Sequence, residues 1–102
     1  IDDLDIFLQI KNDIVTDACF DGVACTISTA STDIMCDLLK GKTNKEAEYI
    51  IDQFHHMMHE QPFDGEVLEE ALAFINTSKQ AARVRCASIG YLAAQEILKG
   101  NK

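Results

Sequence analysis

Basic residues are scarce in this chain, which has 9 Lys and Arg against 17 Asp and Glu and a formal net charge of -8. A protein that binds the phosphate backbone of nucleic acids needs the opposite balance, so we expect a basic protein surface rather than nucleic acid as partner. The sequence lacks an apolar run approaching the roughly 20 residues of a membrane helix. It also opens on acidic residues where a signal peptide would be basic. We therefore expect a cytoplasmic protein without a membrane partner.

Paired cysteine motifs are absent as well. The cysteines follow no CxxC pattern and no regular spacing: Cys19, Cys25, Cys36 and Cys86. Because secretory features are also missing, we interpret them as reduced thiols rather than as a disulfide framework. Short enzyme motifs such as GxGxxG, the P-loop, GxSxG and a Ser-His-Asp set do not occur either. Burial, metal binding and catalysis stay open as roles for the thiols.

The 102 residues, of which 47% are hydrophobic and 25% charged, suit one globular domain. Alternating apolar residues predict a β-hairpin over residues 4–20, and a short third strand at 23–25. Helical periodicity follows and predicts helices at about 28–40, 66–75 and 79–98, besides one that begins near residue 43. Strands followed by helices indicate an α+β fold: a small antiparallel β-sheet of about three strands with helices packed on one face.

The helix that begins near residue 43 has the most distinct pattern. Thr43 and Glu46 have the spacing of a capping box. After it, one core-facing stripe repeats at helical spacing: Ala47, Ile50, Ile51, Phe54, Met57 and Met58. His55 and His59 lie at i and i+4, a spacing that metal sites use. We favour a solvated face for them, because they lie off the stripe. The glutamate of a zincin-like helix is also absent, since His56 directly follows His55.

Cys25 lies at the predicted join between the β-segment and the first helix, and hydroxyl residues follow it closely. Backbone N–H groups and the positive end of the helix dipole would lower the pKa of a thiol there. They favour the thiolate, the form that attacks sulfur and binds metals. The alternative is a small buried side chain, since free cysteine is among the most buried residue types. Position alone favours the buried cysteine.

Cys86 lies early in the last predicted helix, with Arg83 and Arg85 nearby. Cationic neighbours also favour a thiolate. Cys86 shares a helix face with apolar residues, however, so a core cysteine is the alternative. Cys36 falls within the first predicted helix and Cys19 within a strand, and we interpret both as packing residues.

The segments ACTISTAST…LLKGK and AARVRCAS resemble the U-type iron–sulfur cluster assembly family, which comprises the NifU N-terminal domain, IscU and SufU. That family carries Gly-Cys-Ser-Ile-Ser-x-Ala-Ser before a helix ending in Lys-Gly-Lys, and the matching residues here are Cys25, Ile27, Ser28, Ala30, Ser31 and 40–42. Ala24 and Thr26 replace the usual glycine and serine. The residues before Cys86, with Arg83 three positions ahead, point to the SufU branch. Asp2 matches the aspartate of the Cys-Gly-Asp motif that begins the family's first hairpin.

The resemblance covers essentially the whole chain and implies one SufE/NifU-like domain over residues 1–102. The family's first cysteine would lie just upstream, so we expect the chain to lack its native N-terminal segment. By the same resemblance, Cys25, Cys86 and Asp2 converge on one site that binds iron, a transient iron–sulfur cluster or zinc. Thiolates and a carboxylate are suitable ligands for zinc, iron and iron–sulfur clusters. Arg83 would orient the site or stabilise the negative charge of a sulfur.

The resemblance implies an iron–sulfur cluster assembly scaffold that accepts persulfide sulfur from a cysteine desulfurase of the SufS/IscS type and serves downstream Fe–S carrier or target proteins. A scaffold is not an enzyme in the usual sense, although SufU-like members act as zinc-dependent sulfur acceptors. A metal-free SufE-like sulfur-transfer partner is one alternative, and a degenerate family member that binds no metal is another. The choice between zinc and cluster, the first cysteine to take the persulfide, the oligomeric state and the role of His55 and His59 stay open.

Overall fold

The chain folds first into a β-hairpin. A computed structural model describes residues 3–100, in which strands β1 (Asp3–Lys11) and β2 (Ile14–Val23) pair antiparallel. Asn12 and Asp13 form the two-residue turn, with positive φ at both positions, 52° and 66°. A turn of this kind matches the twist of the two strands, and Asn and Asp adopt positive φ more readily than other side chains. The predicted hairpin is confirmed.

An irregularity in the hairpin decides which side chains of β2 face the helices. The pairing register shifts at Gln9 of β1 and leaves Thr16 as an extra residue in β2. A bulge of this kind changes the in–out alternation of a strand. As a result Val15 and Ala18 are both buried, whereas Cys19 is exposed. The prediction that Cys19 is a packing residue is therefore wrong.

Within residues 3–100 the sheet has two strands rather than about three. Strand β2 runs through the Asp21-Gly22 pair, because Gly22 pairs with Leu4 and takes a φ of 121°. A side chain at this position would collide with the backbone of Asp3, whose carbonyl carbon lies 3.1 Å from the Cβ position. Glycine thus allows β2 to continue as far as Val23, and no separate third strand forms there.

Two helices follow the hairpin, α1 (Thr26–Leu39) and α2 (Asn44–Met58). Gly41, with a φ of 81°, lies just beyond the end of α1, as is common at helix C-termini. The Thr43 hydroxyl accepts a hydrogen bond from the Glu46 backbone N–H at 3.1 Å, and the Glu46 carboxylate accepts one from the Thr43 N–H at 3.0 Å. The predicted capping box is confirmed.

The helix predicted at 66–75 is a 3-10 helix, Glu69–Lys79. Ala71 is its one buried residue, while Leu72 and Ile75 are exposed, so the segment has no continuous apolar stripe to pack on the core. Helix α3 (Ala81–Gly100) follows and packs against both earlier helices and β1. Among the helices of residues 3–100, none has the length and apolar character needed to cross a membrane.

The helices lie on one face of the sheet, and the core fills the space between them. The stripe predicted for α2 is buried along its whole length. In α2, Phe54 stacks on Tyr91 of α3, with ring centroids 3.8 Å apart and planes at 3°. The other face of the sheet is open, and Phe7 on it is 54% exposed. The predicted α+β architecture is confirmed.

Candidate functional site

Cys25 is the N-cap residue of α1, at the predicted join between strand and helix. Its backbone is extended (φ -67°, ψ 166°), and its carbonyl accepts the first helical hydrogen bond, from the Thr29 N–H at 3.0 Å. The sulfur accepts a hydrogen bond from the Ser28 N–H at 3.5 Å, in the place where a capping oxygen usually lies. The Ser28 hydroxyl is also 3.3 Å from this sulfur. Cys25 is half-buried, so its thiol reaches the surface.

Hydrogen bonding lowers the pKa of Cys25 below the ordinary value of a thiol. The largest cause is the hydroxyl of Ser28, followed by its backbone N–H, while burial opposes the shift. The positive end of the α1 dipole acts in the same direction. A thiol with a lowered pKa is present more often as thiolate, which is the nucleophile and the metal ligand. The environment predicted for Cys25 is present.

Cys86 lies beside Cys25, although the two are far apart in sequence. It belongs to the second turn of α3 and is half-buried, like Cys25. A hydrogen bond from the Cys86 side chain contributes to the lowered pKa of Cys25. The fold therefore brings together two of the residues that the family resemblance assigned to one site, from the start of α1 and the start of α3.

The other two predicted site residues have different outcomes. Arg83 lies in the first turn of α3, three residues before Cys86, and is exposed to solvent. This spacing puts the two side chains on neighbouring positions of one helix surface. Asp2 lies outside the described residues, so its predicted role as a ligand stays a prediction.

The chemistry of the two thiols fits part of a metal site. Cys25 and Cys86 offer two soft sulfur donors, the ligand type of zinc and iron–sulfur sites, which take four ligands in a tetrahedral arrangement. Within residues 3–100 no group of three or more His, Cys, Asp or Glu side chains is placed to hold a metal ion. The two thiols therefore supply two of the four ligands of such a site.

The remaining thiol and the histidines lie elsewhere. Cys36 is buried in the core, and burial raises its pKa to about 11, so its predicted packing role is confirmed. His59 is exposed, but His55 is half-buried, and its Nε2 atom has no hydrogen-bond partner within the described range. Burial, and then the charge of His59, lower the pKa of His55. The solvated face that we favoured is therefore right for His59 and wrong for His55.

Sequence reasoning assigned no role to the serines that follow Cys25. The Ser28 hydroxyl donates to the Cys86 carbonyl oxygen at 2.9 Å, and the Ser31 hydroxyl donates to that of Ala87 at 2.7 Å. Both serines are fully buried. Buried polar groups are almost always hydrogen-bonded. Hydroxyl residues at positions of α1 that face the core were therefore the feature of the sequence that could have indicated a polar contact with another helix.

Comparison with known proteins identifies the family. Residues 2–87 match the family described as NifU-like N terminal domain. The chain belongs to this family. An "Iron-sulfur cluster assembly scaffold protein IscU" of Streptococcus pyogenes serotype M1 is 33% identical over 100 residues, and a "Zinc-dependent sulfurtransferase SufU" of Bacillus subtilis (strain 168) is 32% identical over 96 residues. These matches cover 96% and 93% of this chain but 62% and 65% of the relatives, so the chain spans less than two thirds of their length.

A solved structure agrees with this assignment. It is a putative iron-sulfur cluster assembly scaffold protein for the SUF system from the thermophile Fervidobacterium Islandicum AW-1, and it matches with a TM-score of 0.87 and 30% sequence identity. The match covers 92% of this chain and 68% of that chain. The predicted resemblance to the U-type family and the NifU-like fold are confirmed.

Proposed function

We propose that this chain is an iron–sulfur cluster assembly scaffold and sulfur acceptor. The observation that carries the proposal is that Ser28 connects the two cysteines at the N-terminus of α1. Its hydroxyl lies 3.3 Å from the Cys25 sulfur and donates to the Cys86 carbonyl oxygen at 2.9 Å. A pair of thiols in which the pKa of one, Cys25, is lowered is suited both to sulfur transfer and to binding soft metals. Relatives named as a cluster assembly scaffold and as a zinc-dependent sulfurtransferase support the same two activities.

The metal or cluster in this proposal is held by Cys25, Cys86 and Asp2, with a further ligand from outside residues 1–102. For a scaffold, iron and sulfide are the cargo; a resident zinc would fix the ligands and stabilise their thiolate forms. The Ser28 N–H donates a hydrogen bond to the Cys25 sulfur, and the Ser28 hydroxyl lies 3.3 Å from it, so both contacts orient one ligand. Hydrogen bonding around a ligand of this kind tunes its basicity and position.

Sulfur arrives as a persulfide on a cysteine desulfurase. A thiolate of this chain attacks the terminal sulfur, the sulfur–sulfur bond of the donor breaks, and the donor leaves as a thiolate. A new persulfide forms on Cys25 or Cys86, and no external oxidant or reductant is needed. Arg83, exposed one helical turn before Cys86, provides positive charge for the incoming anionic sulfur. Downstream Fe–S carrier or target proteins in the cytoplasm receive the product.

Measurement of bound metal and of persulfide on the full-length protein tests this proposal. Cys25→Ser and Cys86→Ser should each reduce zinc or iron content, since each removes a thiolate, and the variant that lacks the acceptor cysteine should lose sulfur uptake from a cysteine desulfurase. Cys19→Ser is the matched control, because Cys19 is also a cysteine outside any disulfide but lies on the open face of the sheet, opposite Phe7. The proposal fails if both site variants keep metal and sulfur uptake at the level of the control.

A metal-free sulfur-transfer protein of the SufE type is the second candidate. It is favoured by the two-thiol composition of the site within residues 3–100, where no group of three ligand side chains is placed to hold a metal. It predicts persulfide on one cysteine without stoichiometric metal. Zinc or iron at about one ion per chain in the full-length protein would exclude it. Absence of both bound metal and sulfur uptake in the full-length protein would indicate a degenerate family member.

A further inference from the structure

Two hydroxyl–carbonyl hydrogen bonds connect α1 to α3 directly behind the thiols. Ser28 donates to the Cys86 carbonyl at 2.9 Å, and Ser31, about one turn further along α1, donates to the Ala87 carbonyl at 2.7 Å. The acceptors are consecutive carbonyl groups of α3. Two bonds between the same pair of helices restrict sliding and rotation, because hydrogen bonds depend on distance and angle.

These bonds are not needed to form α3. The carbonyl groups of Cys86 and Ala87 lie inside a helix that runs from Ala81 to Gly100, where residues four positions later donate to them. The serine hydroxyls are additional donors to oxygens with two lone pairs. Their contribution is therefore to the placement of α1 relative to α3, and hence to the placement of Cys25 relative to Cys86.

A close approach of the helix backbones accompanies the two bonds. A Cβ atom at Gly90 of α3 would collide with the Thr32 hydroxyl oxygen and lie 3.1 Å from the Thr32 Cβ, so glycine at this position leaves room for α1. Ser28, Ser31 and Thr32 are all 0% exposed. Water is thereby excluded from the contact, which removes the usual competitor for a hydroxyl–carbonyl hydrogen bond.

We propose that Ser28 and Ser31 are positioning residues, which fix the register of α1 on α3 and thereby hold the Cys25 and Cys86 thiols beside each other. The claim deepens the proposed function and rests on it for its biological meaning. Ser31 is the sharper of the two residues, because its hydrogen bond goes to the Ala87 carbonyl and not to a thiol. Ser28 also hydrogen-bonds to the Cys25 sulfur, so its removal changes thiol acidity as well.

The test is the equilibrium between the dithiol and the Cys25–Cys86 disulfide in glutathione redox buffers, in a Cys19→Ser background without metal. Oxidised glutathione accepts the two electrons and two protons of the thiols and becomes two reduced molecules. The position of this equilibrium gives the effective concentration of one thiol at the other. Alkylation followed by peptide mass spectrometry identifies the pair and shows that the buried Cys36 takes no part.

Ser31→Ala should lower this effective concentration by about two- to tenfold, the range expected for one net hydrogen bond. Thr29→Ala is the control, because Thr29 lies on the exposed side of the same helix, and it should stay within about twofold of the parent. Ser28→Ala is the second variant if Ser31→Ala does not fold. Its separately measured thiol pKa is then used to correct the equilibrium. A serine variant that folds and matches Thr29→Ala overturns the proposal.

Titration of each variant with Co²⁺, followed by its thiolate charge-transfer absorption in the full-length protein, separates this inference from the proposed function. The expected result is weaker Co²⁺ binding in Ser31→Ala in parallel with its lower effective concentration. Absence of Co²⁺ binding in the parent would contradict the metal role and leave the disulfide result intact. Unchanged Co²⁺ affinity together with an unchanged disulfide equilibrium in Ser31→Ala contradicts the positioning role alone.

Discussion

Helix α3 contacts its two neighbouring helices through surfaces of opposite character. Against α2, the contact is apolar, with Phe54 stacked on Tyr91 at a centroid distance of 3.8 Å. Against α1, it includes buried hydroxyl groups, backbone carbonyls and a glycine, with Ser31 bonded to a carbonyl at 2.7 Å and Gly90 packed on Thr32. Both surfaces are closed to solvent, yet only the second lies next to the thiols.

The difference separates stability from geometry. Burial of apolar surface is favourable in proportion to area and has little directional preference. Hydroxyl–carbonyl bonds contribute less free energy but require a defined distance and angle. We therefore expect the Phe54–Tyr91 stack of the α2–α3 contact to matter most for stability, and the hydroxyl–carbonyl bonds of the α1–α3 contact to matter most for where Cys25 and Cys86 meet. Substitutions on the two sides of α3 should consequently have separable effects.

Phe54→Ala should have the largest effect on folding. Phe54 is 0% exposed and stacks on Tyr91, so its removal costs about 3–5 kcal/mol of unfolding free energy. Urea denaturation measures the loss, which is a large part of the stability of an ordinary small domain. Phe7→Ala removes an equally large ring that is 54% exposed, and it should cost less than about 1 kcal/mol. Equal losses in the two variants would contradict the assignment of stability to the α2–α3 contact.

Gly90→Ala should have an intermediate effect on stability and a direct effect on the site. The new Cβ would collide with the Thr32 hydroxyl oxygen and lie 3.1 Å from Cβ and Cγ2 of Thr32. It would push α1 away from α3, at a cost of about 1–3 kcal/mol. The Cys25–Cys86 disulfide equilibrium should shift toward the dithiol at the same time. Gly100→Ala is the control, because a Cβ there meets nothing within 4 Å. A Gly90→Ala protein with the parent's stability and disulfide equilibrium would show that the close approach has no role.

Local patterns predicted the apolar side of the molecule well. The stripe of α2 and its capping box are set by residues three and four apart, and both appear where the sequence placed them. The 3-10 helix was harder to predict from the sequence, because its apolar residues do not form a buried stripe once the chain is folded. The exposure of Cys19 could not be predicted from the alternating pattern either. It follows from one extra residue, Thr16, in the pairing of β2 with β1.

The site was predicted in a different way. Position and spacing left Cys25 and Cys86 as core residues or thiolates, and the resemblance to a family joined them into one site. The fold brings them together because α1 and α3 pack side by side, a contact between residues more than fifty positions apart. The role of Ser31 depends on that helix contact as well. No short-range pattern in the sequence contains this information.

Thr32→Val should have the smallest effect and should change stability in the opposite direction. The Thr32 hydroxyl is buried and has no hydrogen-bond partner within residues 3–100, whereas the hydroxyl of its neighbour Ser31 is bonded. Valine has nearly the same shape and no polar group to desolvate, so the substitution should raise the unfolding free energy by about 1 kcal/mol. Ser31→Ala should lower it by a similar amount, because it removes a formed bond.

Urea denaturation of the two variants beside the parent measures this pair of opposite changes, and the disulfide equilibrium adds the geometric comparison. Thr32→Val should leave the Cys25–Cys86 equilibrium within about twofold of the parent, since a hydroxyl without a partner fixes no register. If Thr32→Val instead destabilises the protein and weakens the pairing as Ser31→Ala does, the positioning effect belongs to the polarity of the whole α1–α3 contact. The two individual serine bonds would then not be its cause.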